Sequence, residues 1–184
     1  TLDFMSGGRV LCGVGWGWNQ DEAEAHGVVW KDRLAIVTEK VAVMRSLWRD
    51  EIASFQGDHV SLAPSWAWPK PLQPGGIPIY LGGAGPKSMR ETALWADAWY
   101  VAPPPDDITL EVSIPKFRQV CEEVGRDPSS VILAVGAAPS DRAVLEKYRE
   151  LGVQEVSIWI DPAPGDQGLR NLEAVNEVRA AVLG

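Results

Sequence analysis

The chain has 184 residues, 46% of them hydrophobic and 23% charged, a composition typical of one soluble globular domain with a sizeable core. Its net charge of −8 argues against a nucleic-acid surface and against binding to anionic membranes. With only two cysteines, we predict no disulfide framework and no metal site. No apolar run is long enough to span a membrane and no signal peptide is visible, which predicts a cytoplasmic location.

The chain opens with patterns typical of alternating helices and strands. Residues 1–8 are typical of the end of a helix followed by a turn, and residues 9–15 of a short apolar strand. Asn19 is suited to cap a short helix, and Gly27 is suited to end it. We therefore predict a capping role for Asn19 in preference to a ligand-binding one.

A long amphipathic helix follows. Its apolar side chains recur at three- and four-residue spacing, at Leu34, Val37, Val41, Met44 and Trp48. We interpret this stripe as core rather than as a cofactor-binding surface. Glu39 lies off the stripe, and we expect its carboxylate to be solvated.

The segment from residue 50 to residue 76 has no clear period. Residues 55–62 are suited to a small hairpin around Gly57. Trp66 and Trp68 follow among prolines, and a long irregular segment inside a compact domain is usually a lid or a linker. The two indoles could form a wall for a flat ligand or could attach the segment to the body of the domain.

Residues 77–90 predict a strand, a glycine turn and a helix that begins at Pro86. The turn is formed by Gly82, Gly83, Ala84 and Gly85. Free amides and the positive end of the helix dipole meet at such a turn, so a phosphate fits there, and Arg90 can reach it. The alternative is a glycine-rich turn that binds nothing. Neither the P-loop motif nor the dinucleotide fingerprint is matched.

The remainder of the chain alternates strands with amphipathic helices, a pattern typical of parallel βαβ units. Strands are predicted near 98–102, 131–135 and 155–160, with a proline-rich loop at Pro103–Pro105. With the two earlier ones, five parallel strands are predicted. They could form a small open sheet or most of an eight-stranded barrel, and periodicity does not choose between these.

Three blocks of residues resemble the luciferase-like flavin and deazaflavin oxidoreductases, whose fold is an eight-stranded α/β barrel. The first block joins residues 1–9 to Gly13-Val14-Gly15 and Gly17-Trp18-Asn19. The second is Arg33, Glu39 and Leu47-Trp48. The third is residues 69–74, then Pro78-Ile79-Tyr80-Leu81-Gly82-Gly83, Arg90 and Asp97-Ala98-Trp99. Together, in order and spacing, the blocks look most like the branch that uses the deazaflavin coenzyme F420.

The resemblance implies hydride transfer between F420 and a small organic substrate. An FMN-dependent monooxygenase that uses reduced flavin and molecular oxygen is one alternative, and a vestigial phosphate- or flavin-binding module is another. The residues from Gly82 to Gly85, with Arg90, fall where the family holds the cofactor phosphate. Gly13 and Gly15 would let the cofactor ring lie close, and the tryptophans at 16, 18, 66 and 68 would line the substrate pocket. No catalytic residue is assigned.

The chain departs from the family pattern mainly in length. Ala98 stands where the family usually has glycine, and Trp95-Ala96 replaces the common Leu-Gly, both at packing positions. About three strands that precede the first block in the family are absent, so we expect a single partial (β/α)8 domain over residues 1–184, an amino-terminally truncated fragment. The strands near residues 11 and 158 would then be the sheet edges. The full-length protein is expected to be a homo-oligomer.

Overall fold

A computed structural model of the chain describes residues 1–102 and 109–183. The predicted proline loop, Pro103–Pro105, lies outside the described residues. The elements in chain order are α1 (Leu2–Ser6), β1 (Cys12–Val14), α2 (Gln20–Ala25), α3 (Arg33–Arg49), β2 (Ala53–Gln56), β3 (Ser61–Ser65), β4 (Ile79–Gly82), α4 (Pro86–Trp95), β5 (Ala98–Val101), α5 (Leu110–Glu123), β6 (Ile132–Ala138), α6 (Arg142–Glu150), β7 (Glu155–Ile158) and α7 (Asp166–Leu183).

The chain divides into two compact units, residues 1–79 and the residues from Tyr80 onward. In the first unit, the predicted hairpin is confirmed as the antiparallel pair β2–β3. The predicted cap of α2 is also confirmed, because the Asn19 side chain accepts a 3.2 Å hydrogen bond from the Glu22 amide. Gly27 follows this helix with φ at 75°, a conformation that favours glycine.

Helix α3 carries the predicted apolar stripe, but only Val41 of the stripe is fully buried. The expectation for Glu39 on the same helix is wrong. Its carboxylate accepts hydrogen bonds from the amides of Asp58 (3.0 Å), His59 (2.9 Å) and Val60 (2.7 Å). Although partial burial opposes it, these amides hold the pKa of Glu39 below its ordinary value. Glu39 therefore fixes the turn of the β2–β3 hairpin against α3.

The second unit contains a parallel sheet in which β4, β5, β6 and β7 pair in that order. Side chains alternate between the two faces of each strand. Trp99 and Val101 of β5 pack into the main core against α5, where the Trp99 and Phe117 rings stack with centroids 4.6 Å apart. This helix begins at Leu110, earlier than the sequence predicts, with Pro115 inside it.

The opposite face of the same sheet carries a smaller cluster formed by Tyr80, Ala98 and Ala134. The Tyr80 hydroxyl donates a 2.8 Å hydrogen bond to the Glu155 carboxylate. Burial first, and then this carboxylate, raise the pKa of Tyr80. The phenol therefore stays protonated and acts as a structural donor inside the sheet face.

Helix α4 is held at its carboxyl end by the side chain of Arg126, which precedes β6. The guanidinium donates to the main-chain carbonyls of Thr92 (3.1 Å), Ala93 (3.4 Å) and Ala96 (2.7 Å). These carbonyls lie at the carboxyl end of α4, where most carbonyls have no amide partner within the helix, although that of Thr92 also accepts from the Ala96 amide (3.1 Å). A cation at this end also complements the helix dipole.

The full strand order of the main sheet is β1-β4-β5-β6-β7, so all five predicted strands form and β1 and β7 are its outer members as expected. Strands and helices alternate along the chain, which confirms the predicted α/β class. Among the described residues, no helix has both the length and the apolar character to cross a membrane. The prediction that the chain is one domain stays a prediction.

Candidate functional site

The predicted strand, turn and helix at residues 77–90 are confirmed as β4, residues 83–85 and α4. Gly85 caps α4, and Pro86 occupies the first helical position. Here the missing amide of proline costs no hydrogen bond, because the first helical amides have no partner within the helix. The local sequence thus places the positive end of α4 directly after a buried strand.

Gly83 has a structural reason to be glycine. Its φ is +129°, and a Cβ atom at this position would lie 2.6 Å from the hydroxyl oxygen of Ser88. Its amide donates to the Tyr100 carbonyl (3.1 Å), and its carbonyl accepts from the Trp99 indole (2.7 Å). Gly83 is therefore hydrogen-bonded to β5, and the prediction that its amide is free to bind an anion is wrong.

The amides available for an anion come from the next residues. In the described part of the chain, the amides of Ala84, Gly85, Lys87 and Ser88 have no hydrogen-bond partner. Gly85 has an ordinary extended backbone, and a Cβ atom there would meet open space. The conformation of Gly85 does not require glycine. The absence of a side chain leaves its backbone uncovered, and a phosphate can approach such a backbone closely. We call these four amides the anion cradle.

Two basic side chains accompany the anion cradle. Lys87 and Arg90 are both exposed on α4, while Ser88 and Met89 between them are buried. The alternative interpretation of Arg90, an ion pair with a neighbouring helix, has no support within residues 1–102 and 109–183. Arg90 is thus free to reach a ligand, and its role in phosphate binding stays a prediction.

The remaining predicted site residues lie in the first unit. Gly13 lies in β1 and Gly15 directly follows it, and a Cβ atom at either would meet nothing within 4 Å. This open surface is compatible with a ring lying close to the backbone. It is not evidence of one, so the assignment of Gly13 and Gly15 stays a prediction.

The four tryptophans do not all follow β1. Trp16 and Trp18 do, and Trp18 is exposed. Trp66 and Trp68 are exposed in the segment after β3. The ammonium of Lys70 lies 5.3 Å from the Trp68 ring and donates to the carbonyls of Leu47 and Asp50 at the end of α3. This contact favours the attachment interpretation for Trp68, and the predicted pocket wall stays untested.

Asp3 is a buried carboxylate whose role the sequence analysis missed. It is 1% exposed, and it accepts from the Leu72 amide (2.7 Å), the Gln73 side chain (2.7 Å) and the Val10 amide (3.3 Å). Burial acts to raise the pKa of Asp3, but these hydrogen bonds outweigh it and hold the pKa below the ordinary 3.8. Asp3 thereby joins α1, the residues just before β1 and the segment before β4.

We expect Asp3 to make the fold acid-sensitive. Because its folded pKa is depressed, its contribution to stability is present above about pH 4 and is lost as the pH falls through the folded value. Asp3→Asn should lower the melting temperature at pH 7 by roughly 5–10 °C and flatten its decline between pH 5 and pH 3. Thermal melts across this pH range measure both effects. Asp21→Asn, at an exposed position on α2, is the control, and equal behaviour of the two variants would contradict the prediction.

Comparison with known proteins gives one family match, to the luciferase-like monooxygenases, over residues 1–176. The chain belongs to the luciferase-like monooxygenase family. An uncharacterized protein of Mycobacterium tuberculosis is 37% identical over 174 residues, which cover 94% of this chain and 60% of that protein. The F420-dependent glucose-6-phosphate dehydrogenase of Nakamurella multipartita is 27% identical over 168 residues, which cover 86% of this chain and 46% of the dehydrogenase.

Solved structures confirm the partial-barrel fold of this luciferase-like chain. An F420-dependent secondary alcohol dehydrogenase in complex with an F420-acetone adduct matches with a TM-score of 0.64 and 25% identity, covering 96% of this chain and 57% of the dehydrogenase. A coenzyme F420-dependent tetrahydromethanopterin reductase from Methanopyrus kandleri matches in fold, with a TM-score of 0.56 and 23% identity over 77% of this chain and 44% of the reductase. The chain thus spans about 60% of the length of the relatives it matches first.

Proposed function

We propose that this luciferase-like chain contributes the cofactor-phosphate site of an oxidoreductase that transfers hydride between coenzyme F420 and a small organic substrate. The single observation that carries the proposal is the anion cradle at the amino end of α4, with two exposed cations and four amides that have no partner among the described residues. Family relatives named for F420 dependence favour this cofactor over FMN.

The residues present fit the phosphate of such a cofactor. The amides of Ala84, Gly85 and Lys87 would donate hydrogen bonds, and the dipole of α4 would favour the negative charge. Arg90 would add a charge-assisted donor. The deazaflavin, when bound, would supply the hydride chemistry, while the protein binds and orients it.

The division of labour within the turn follows from its contacts. Gly83 holds the turn to β5 through its own amide and carbonyl, which leaves the next residues to contact a ligand. Because the phosphate does not react, it is bound equally before and during hydride transfer. This site therefore contributes affinity and placement rather than direct acceleration of the reaction.

A titration tests the proposal. Purified protein is titrated with F420 and, separately, with FMN, and binding is followed by the fluorescence of each cofactor. We expect saturable binding of both, with F420 bound at least tenfold more tightly, a difference of about 1.4 kcal/mol. Tighter binding of FMN would favour the flavin monooxygenase instead, and no binding of either would contradict the proposed function. Binding without turnover of any substrate would favour a non-catalytic module.

A further inference from the structure

Two hydroxyl groups lie together on the face of the sheet opposite the main helical core. The Tyr100 hydroxyl of β5 and the Ser157 hydroxyl of β7 are 3.2 Å apart, although β6 runs between their strands. Tyr100 is half-buried and Ser157 is exposed. Both residues are next to last in their strands, so the pair lies toward the carboxyl ends, where α/β barrels place their ligand sites.

The intervening strand is shaped to let the tyrosine cross it. Gly136 of β6 lies beneath the phenol, and a Cβ atom there would come within 2.1 Å of the Tyr100 hydroxyl oxygen. Any other residue at 136 would displace the ring from Ser157. Glycine at this position is therefore explained by the close approach of Tyr100.

The backbone after Gly136 also serves the pair. The register of β6 with β7 shifts between Val135 and Ala138, and Ala137 adopts a φ of +50°. This conformation is uncommon for a residue other than glycine, and bulges of this kind often re-aim groups beside functional sites. Here it directs the Ala137 amide to the Ser157 hydroxyl, at 3.1 Å.

The Tyr100–Ser157 pair has one hydroxyl hydrogen left over for a further hydrogen bond. The two hydroxyls have two hydrogens, and the bond between them uses one. The Ala137 amide occupies one acceptor site of Ser157. Whichever hydroxyl donates within the pair, the other keeps one O–H that neither partner uses. The pair thus offers one neutral donor on a partly exposed surface.

The position of the pair relative to the anion cradle fits a long ligand. The backbone of Tyr100 accepts from the Gly83 amide, beside the cradle, while its side chain points along the sheet toward β7. From β4 to β7 there are three inter-strand spacings, roughly 14 Å. A cofactor with a phosphate at one end of a ribityl chain and a ring at the other could contact both places.

We propose that the Tyr100–Ser157 pair donates a hydrogen bond to a carbonyl oxygen on the ring of the bound cofactor. The proposal rests on the proposed function, because it takes the ligand to be a ring cofactor with its phosphate in the anion cradle. In this proposal the anion cradle binds the phosphate end of the cofactor, and Tyr100 and Ser157, which are outside the cradle, contact its ring end. The pair acts on binding and ring orientation, and no proton transfer is required of it.

Five variants and the probe F420 test the proposal. Tyr100→Phe and Ser157→Ala each remove one hydroxyl, and Gly136→Ala separates the two hydroxyls without removing either. Each should raise the Kd for F420 about three- to tenfold, because the hydroxyl that remains or is moved loses the partner that orients its O–H toward the ring. Each should also shift the absorption maximum of bound F420, which Arg90→Ala should not do. Tyr148→Phe, which removes a tyrosine hydroxyl on α6, is the matched control and should change neither.

The outcomes separate this proposal from the previous one. If wild-type protein binds F420 but the three variants keep its Kd and spectrum while their melting temperature falls, the pair is structural and the proposal is wrong, although the proposed function stands. If wild-type protein binds no ring cofactor, both proposals fail. A changed Kd with an unshifted spectrum would also contradict contact with the ring.

Discussion

Arg90→Ala is expected to weaken F420 binding on the order of ten- to a hundredfold, because it removes a charge-assisted hydrogen bond to the cofactor phosphate. Arg90 is exposed, and it has no ion-pair partner in the described ranges of the chain, so its loss should leave the melting temperature nearly unchanged. Turnover at saturating cofactor should change far less than affinity, since the phosphate is bound equally in the ground and transition states.

Isothermal titration and thermal melts on the same protein samples check this expectation. Arg179→Ala, which removes an exposed arginine on α7, controls for the general effect of losing one positive charge. Unchanged affinity in Arg90→Ala together with a lower melting temperature would show that Arg90 supports the fold and does not bind the cofactor.

Trp99→Ala should destabilise the protein by about 3–5 kcal/mol, the cost typical of removing a large buried aromatic side chain. The indole is 1% exposed, and it stacks on Phe117 in the main core. It also donates the 2.7 Å hydrogen bond that holds the Gly83 carbonyl. Chemical denaturation measures the loss, and a change below about 1 kcal/mol would contradict the role given to Trp99.

Trp99→Phe separates the two contributions of this side chain. A phenyl ring keeps much of the contact with Phe117 but cannot donate to Gly83. We expect a smaller loss of stability than in Trp99→Ala, together with weaker F420 binding, because the turn that carries the cradle is then less constrained. Full retention of F420 affinity in Trp99→Phe would show that the indole hydrogen bond does not contribute to the site.

The elements of this fold were predictable because each leaves a local pattern. The glycine turn, Pro86 and the buried side of α4 all follow from neighbours within a few residues, and the structure confirms them. The cap at Asn19 and the hairpin around Gly57 were predictable for the same reason. Local propensity and periodicity are the information that a single sequence carries most directly.

The contacts that organise the site were not predictable, because their partners are far apart in the chain. Gln73 is 70 residues from Asp3, and Ser157 is 57 residues from Tyr100. Glu39 was expected to be solvated, because nothing in its position on α3 indicates that amides some 20 residues later in the chain donate hydrogen bonds to it. The expectation of a free amide at Gly83 was wrong for a similar reason, because that amide donates to a carbonyl of the neighbouring strand.

The hydrogen bonds from Arg126 to the carboxyl end of α4 affect how fast a ligand can bind. The Trp99 indole fixes Gly83 at the start of the turn, and Arg126 fixes the carbonyls at the carboxyl end of α4. The cradle amides between these two points are therefore ordered when the chain folds. An arriving anion then removes little conformational entropy from the protein. Association should therefore proceed without a slow rearrangement, with a rate governed by encounter and sensitive to ionic strength through Lys87 and Arg90.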